Sequence, residues 1–175
     1  MDPRLHHLQG KAELVTDLLP LLQEFHGEKL TMMLRHQAGA RLIGQYDANN
    51  TYQYVINREQ TQLTWVAAAI AELGGAVADQ AEPARPASGK AAAAAQAIFT
   101  EDGQDAQRFV DHWRPRIDEM DNARHARMLR VILGETLEQK RFFDQALAGR
   151  QDLLGRRGEQ VGPSHGEVLP SRWIE

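Results

Sequence analysis

A long amphipathic segment with a polar interruption constrains the fold of this chain most strongly. Residues 52–73 read YQYVINREQTQLTWVAAAIAEL, and Glu59 and Gln62 stand in the middle of the apolar face. The apolar residues of the segment recur at helical spacing: Tyr52, Val55, Ile56, Val66, Ile70 and Leu73. Because a buried polar group is costly without a partner, two of them three residues apart predict an interior site or a polar layer.

The same periodicity predicts four helices. They cover residues 18–43, 47–73, about 90 to 117, and 121–148. Residues 1–16 predict a short leading helix, with Asp17 as the N-cap of the next helix and Pro20 in its first turn. Gly103 and Pro115 predict a kink or a break in the third helix.

The connections between these helices predict their arrangement. Residues 74–90 are rich in Pro, Gly, Ala and Ser, and about 16 extended residues reach roughly 50 Å, which exceeds the length of the second helix. The other two connections are short and therefore join antiparallel neighbours. The sequence thus predicts an all-α, up-down four-helix bundle over residues 1–150 with one long crossover, followed by an irregular tail over residues 151–175.

An internal repeat supports this arrangement. Shifting the sequence by 77 residues superposes the first two helices on the last two, and both halves interrupt their apolar faces at the same places. The superposed polar positions are Glu28 and Asp105, Glu59 and Thr136, and Gln62 and Gln139. Two related helix pairs with polar groups in register predict one shared site inside the bundle.

With these polar positions, residues 18–148 resemble the ferritin-like superfamily, in particular bacterioferritin and rubrerythrin relatives. Such families bind two metal ions with single carboxylates from the first and third helices and a Glu-x-x-His pair from each of the other two. The resemblance implies that Glu28 and Asp105 are the single carboxylates. It also implies that Glu59 begins the first pair, which ends in Gln62, and that Thr136 and Gln139 form the second. Gln62 and Gln139 replace histidine, and Thr136 replaces glutamate.

The resulting site prediction is a degenerate di-metal site. Its candidate residues are Glu28, Glu59, Gln62, Asp105 and Gln139. Because amide oxygens are poor ligands for iron, we expect no cofactor, with iron or manganese as the alternative. A single divalent ion on the three acids and a polar layer without metal are both compatible with the pattern.

These candidate site residues suggest two possible functions. The first is a bundle without an intact di-metal centre that has a non-catalytic binding or scaffold role. The alternative is a di-iron or di-manganese carboxylate oxidoreductase with a divergent ligand set. The sequence does not identify a small-molecule ligand.

Composition gives the remaining expectations. The 24 acidic and 20 Lys and Arg residues give a net charge of −4, which does not suggest a nucleic-acid or membrane partner. The chain has no cysteine, which excludes disulfides and thiol chemistry, and its first residues do not resemble a signal peptide. We therefore expect a cytoplasmic protein. Extra apolar residues off the core face predict a homodimer: Leu30, Met33, Leu34, Tyr54 and Trp65.

Overall fold

The computed structural model describes residues 3–85 and 91–154, of which residues 3–17 and 91 are described by their backbone alone. The described residues form four helices. In chain order they are α1 (Pro3–Ala40), α2 (Tyr46–Glu72), α3 (Ala91–Asp118) and α4 (Ala123–Leu147). No strand occurs in the described ranges. The predicted all-α architecture is confirmed. Within the same ranges, no helix has both the length and the apolar composition that a membrane span needs.

The first helix is longer than the sequence predicts. α1 continues from Pro3 through Pro20 to Ala40, so the separate leading helix and the N-cap at Asp17 are wrong. Pro20 removes one backbone hydrogen bond, but Leu18 and Leu22 on either side of it are both buried in the core. Burial on both sides of the proline thus favours one continuous helix. α3 likewise runs unbroken through Gly103 and Pro115, where a break was one of the two predictions.

The ends of α2, α3 and α4 agree with the sequence to within about two residues, whereas α1 ends three residues earlier than predicted. α2 ends in a Schellman motif, in which Gly74 has a φ of 78° and the N–H of Gly75 donates to the carbonyl of Ile70. α4 ends in the same way at Gly149, whose φ is 84°. Its start is capped by Asn122, which accepts a hydrogen bond from the backbone N–H of His125.

The segment between α2 and α3 is the predicted long crossover. Side-chain hydrogen bonds join it to α1, and later residues of the crossover contact later residues of the helix. They include Gln23 with Ala76 (2.8 Å), Gln80 with Gly27 (3.0 Å) and Arg85 with Arg35 (3.1 Å). The crossover therefore runs along α1 in the same direction and delivers α3 parallel to α2. The helices pair as α1 with α2 and α3 with α4.

The core consists of two apolar clusters. The first includes Leu22, Phe25, Trp113, Ile117 and Leu129. The second, toward the other end of the bundle, includes Ile43, Tyr52, Val55, Phe99 and Phe143. Buried polar side chains from the middle of the helices lie in the same interior, and they form the site described below.

The residues that predicted a homodimer are only partly exposed. Met33 is buried, and Leu30 and Leu34 pack against the second cluster, which explains them without a partner. Tyr54 and Trp65 are exposed. The homodimer stays a prediction.

The domain boundary at residue 150 also stays a prediction. The chain still packs on the bundle at Leu153, which is buried, and most of the predicted tail lies outside the described residues.

Candidate functional site

A central polar layer lies inside the bundle, level with the middle of α2 and α4. Its six side chains are all buried: Lys29, His36, Glu59, Gln62, Thr136 and Gln139. α1 contributes the lysine and the histidine, α2 contributes Glu59 and Gln62, and α4 contributes the last two. The predicted inward position of the polar residues of α2 and α4 is therefore correct.

The ammonium group of Lys29 connects these helices. Its Nζ lies 2.9 Å from Oε1 of Glu59, 3.2 Å from Oγ1 of Thr136 and 3.5 Å from Oε1 of Gln139. It also lies 5.5 Å from the ring centre of Phe109 on α3, at a distance typical of a cation–π contact. Lys29 and Glu59 both have no solvent exposure, so this is a fully buried ion pair.

The second oxygen of the Glu59 carboxylate contacts His36. Its Oε2 lies 2.8 Å from Nδ1 of the imidazole, which is itself buried. Burial acts to lower the pKa of His36, but the charge and hydrogen bond of Glu59 outweigh it and raise that pKa above its ordinary value. Burial acts to raise the pKa of Glu59, but His36 and Lys29 together hold it below its ordinary value.

A second buried carboxylate lies next to this layer on α3. Asp102 has no solvent exposure, accepts a hydrogen bond from the hydroxyl of Tyr52, and pairs with Nη1 of Arg85 at 2.8 Å. Burial raises the pKa of Asp102, although His36, Arg85 and Tyr52 act in the opposite direction. Burial and the neighbouring Asp102 also raise the pKa of Tyr52 well above its ordinary value. Arg85 thus fastens the crossover to the interior of the bundle.

Two of the predicted site residues lie elsewhere. The Glu28 side chain is 42% exposed and accepts a hydrogen bond from Nε1 of Trp113 at 2.8 Å. Asp105 pairs with Arg35 at 3.1 Å and with Arg108. Both line a groove between α1 and α3, so the expectation that these acids converge with Glu59 is wrong. Metal binding by the five predicted residues stays a prediction.

The sequence analysis missed the interior position of Lys29, and on α3 it predicted Asp105 as the site carboxylate, whereas the fully buried carboxylate is Asp102. Lys29 lies four residues after the buried Phe25 and seven before His36, and Asp102 lies four after Ile98 and seven before Phe109. These spacings of four and seven place both residues on the inner faces of their helices. The helical spacing therefore predicts the inward position of Lys29, although a lysine side chain is rarely fully buried.

The donors of the central polar layer do not fit a pair of metal ions. Glu59 is its carboxylate, and both oxygens of that group are already bonded to Lys29 and His36. An ammonium group has no lone pair for a metal, and its charge disfavours a cation beside it. Thr136 and the two glutamines add only neutral oxygens, which are weak ligands for iron.

Comparisons with known proteins give one structural relative. Neither a protein-family model nor a curated protein matches the chain. Among solved structures, a mutant of Mycobacterium smegmatis Dps1 superposes with a TM-score of 0.57 over 77% of this chain and 97% of that one, at 14% sequence identity. The chain has a ferritin-like fold. At this identity, the similarity establishes the fold of the ferritin-like bundle and does not extend to its chemistry.

Proposed function

We propose that this protein is a ferritin-like bundle with a non-catalytic binding or scaffold role, in which the Lys29 ammonium takes the place of the metal ions of di-metal bundles. The observation that carries the proposal is the 2.9 Å contact between Lys29 and Glu59 at zero exposure. A di-metal bundle places charged oxygens around its cations. Here the cation that the Glu59 carboxylate meets is a side chain.

The charge balance around Glu59 supports this proposal. A buried carboxylate requires nearby positive charge, and Lys29 together with a hydrogen-bonded His36 supplies it. Thr136 and Gln139 each place an oxygen toward the same ammonium, which accounts for the threonine and the glutamine on α4. Both departures on α4 thus have a hydrogen-bonding role in the polar layer, whereas Gln62 on α2 donates to Glu135 at the edge of the layer.

The test is the metal content of the protein. We expect substoichiometric iron and manganese in protein purified after growth in medium supplemented with each metal, and we expect no change in the isosteric variant Glu59→Gln. Two equivalents of either metal in the wild-type protein, lost in Glu59→Gln, would overturn the proposal. A thermal unfolding curve of the same samples shows that both proteins are folded when they are analysed.

The predicted homodimer is a separate proposal. Tyr54 and Trp65 on α2 are the two large side chains of the predicted set that remain exposed, at 45% and 36%. Light scattering after size-exclusion chromatography measures the mass directly. A monomeric mass of 19.6 kDa would contradict the dimer.

A further inference from the structure

A groove between α2 and α4 lies beside the central polar layer. Its volume is about 330 Å³, within the usual range for small-molecule sites of roughly 300–1,000 Å³. Six residues line it: Tyr54, Arg58, Glu135, Glu138, Gln139 and Phe142. Gln139 belongs both to this lining and to the polar layer, so the groove reaches the network around Lys29.

The amide of Gln139 has a fixed orientation and an NH₂ group without a hydrogen-bond partner among the described residues. Because the Lys29 ammonium only donates, the amide must direct its oxygen toward Nζ, at 3.5 Å, and its NH₂ group elsewhere. Nε2 is buried and has no hydrogen-bond partner among the described residues, and the side chain as a whole is 3% exposed. A buried donor without a partner destabilises the folded protein, and an incoming acceptor recovers part of that loss.

The walls of the groove favour a flat, uncharged molecule. The rings of Tyr54 and Phe142 lie edge to face with centres 6.1 Å apart, and Tyr54 is 45% exposed. Arg58 is paired with Glu135, and Glu138 is paired with Arg141, so the charged groups around the groove balance one another. A charged ligand would have to break one of these pairs, whereas a neutral aromatic ring has two aromatic side chains to contact.

We propose that this groove binds an uncharged aromatic molecule with a carbonyl acceptor, whose ring packs on Tyr54 and Phe142 and whose oxygen accepts a hydrogen bond from Nε2 of Gln139. The inference rests on the proposed function in one respect, since it requires that Lys29, rather than a metal, holds the oxygen of Gln139. It gives the proposed binding role a site and a ligand class.

Benzamide is a suitable probe for this site. We expect its addition to ¹⁵N-labelled protein to shift the signals of the groove residues and the side-chain NH₂ of Gln139, with a Kd on the order of 1 mM. Cyclohexanecarboxamide, which lacks the aromatic ring, and benzoate, which carries a charge, should each bind more weakly. Equal or tighter binding of either compound would overturn the proposed ligand class.

Gln139→Glu is the test variant, because it keeps an oxygen for Lys29 and replaces the NH₂ donor with a carboxylate oxygen that repels an incoming carbonyl. We expect this substitution to weaken benzamide binding about tenfold, as the loss of one hydrogen bond predicts. Tyr54→Ala, at an exposed position, should weaken it as well, and Arg108→Ala in the α1–α3 groove should leave it unchanged.

Two further results would overturn the inference: no shift of the groove signals by benzamide, or equal binding by the wild-type protein and both groove variants. Because metal content is measured separately, a metal-free protein that fails to bind benzamide contradicts this inference and leaves the proposed function standing.

Discussion

The Nζ of Lys29 and the Oε1 of Glu59 are 2.9 Å apart in the middle of the bundle, and water reaches neither side chain. Removing one partner of a buried ion pair leaves an uncompensated charge, at a cost of about 3–5 kcal/mol. We therefore expect Lys29→Met to lower the free energy of unfolding by about this amount in urea denaturation. The double variant Lys29→Met with Glu59→Gln removes both charges, and it should recover much of the loss. A double variant less stable than Lys29→Met would contradict this account.

The stability that His36 contributes should depend on pH. Its pKa is raised above 6.5 in the folded state, so its contribution is fully present below pH 6.5 and is lost as the pH rises through the folded pKa. Glu59 behaves oppositely: its pKa is below 4.5, so its contribution is present above that pH and is lost as the pH falls. We expect His36→Gln to cost about 1.5–3 kcal/mol near pH 5.5 and less near pH 8. Urea unfolding at both pH values measures the difference, and an equal cost at both would refute it.

Arg85 should contribute more to stability than its neighbours on the crossover. Its side chain is 8% exposed and pairs with the fully buried Asp102. We expect Arg85→Ala to destabilise the protein by about 3–5 kcal/mol, because Asp102 loses its cationic partner. Arg41→Ala is the matched control, since Arg41 pairs with Glu82 of the same crossover but is 70% exposed, and its loss should cost about 0–1 kcal/mol. Thermal unfolding of the two variants compares them directly. Similar losses of stability in the two variants would show that burial does not strengthen the ion pair of Arg85 with Asp102.

Glu28 and Glu59 should differ sharply, although the sequence assigned both to one site. The Glu28 side chain is 42% exposed, so Glu28→Gln should change the free energy of unfolding by less than about 1 kcal/mol. Glu59→Gln leaves Lys29 without its buried counterion and should cost several times more. Chemical denaturation of the two variants gives both values. Equal effects would mean that the two carboxylates share an environment.

The sequence predicted the positions on α2 and α4 correctly and those on α1 and α3 incorrectly. On α2, Glu59 and Gln62 interrupt an otherwise apolar face, so their burial follows from spacing alone. On α1 the gap between Phe25 and Met32 can be filled by residue 28 or residue 29. The internal repeat favoured the acid at 28, whereas packing places Lys29 inside.

The choice between such neighbours depends on groups that are distant in the sequence. Lys29 is stable in the interior because Glu59, 30 residues later, and Thr136, 107 residues later, face its ammonium group. Asp102 depends in the same way on Tyr52 and on Arg85 from the crossover. Helical periodicity carries no information about these partners, so it predicted the bundle and the existence of a polar interior but not its chemistry.

The placement of Lys29 also has a consequence for how the molecule is made. Because the positive charge that meets Glu59 is part of the polypeptide, every newly synthesised copy already carries it. The helices can therefore assemble around a neutralised interior without an added cation, and the yield of folded protein should not vary with the ions available in the surrounding medium.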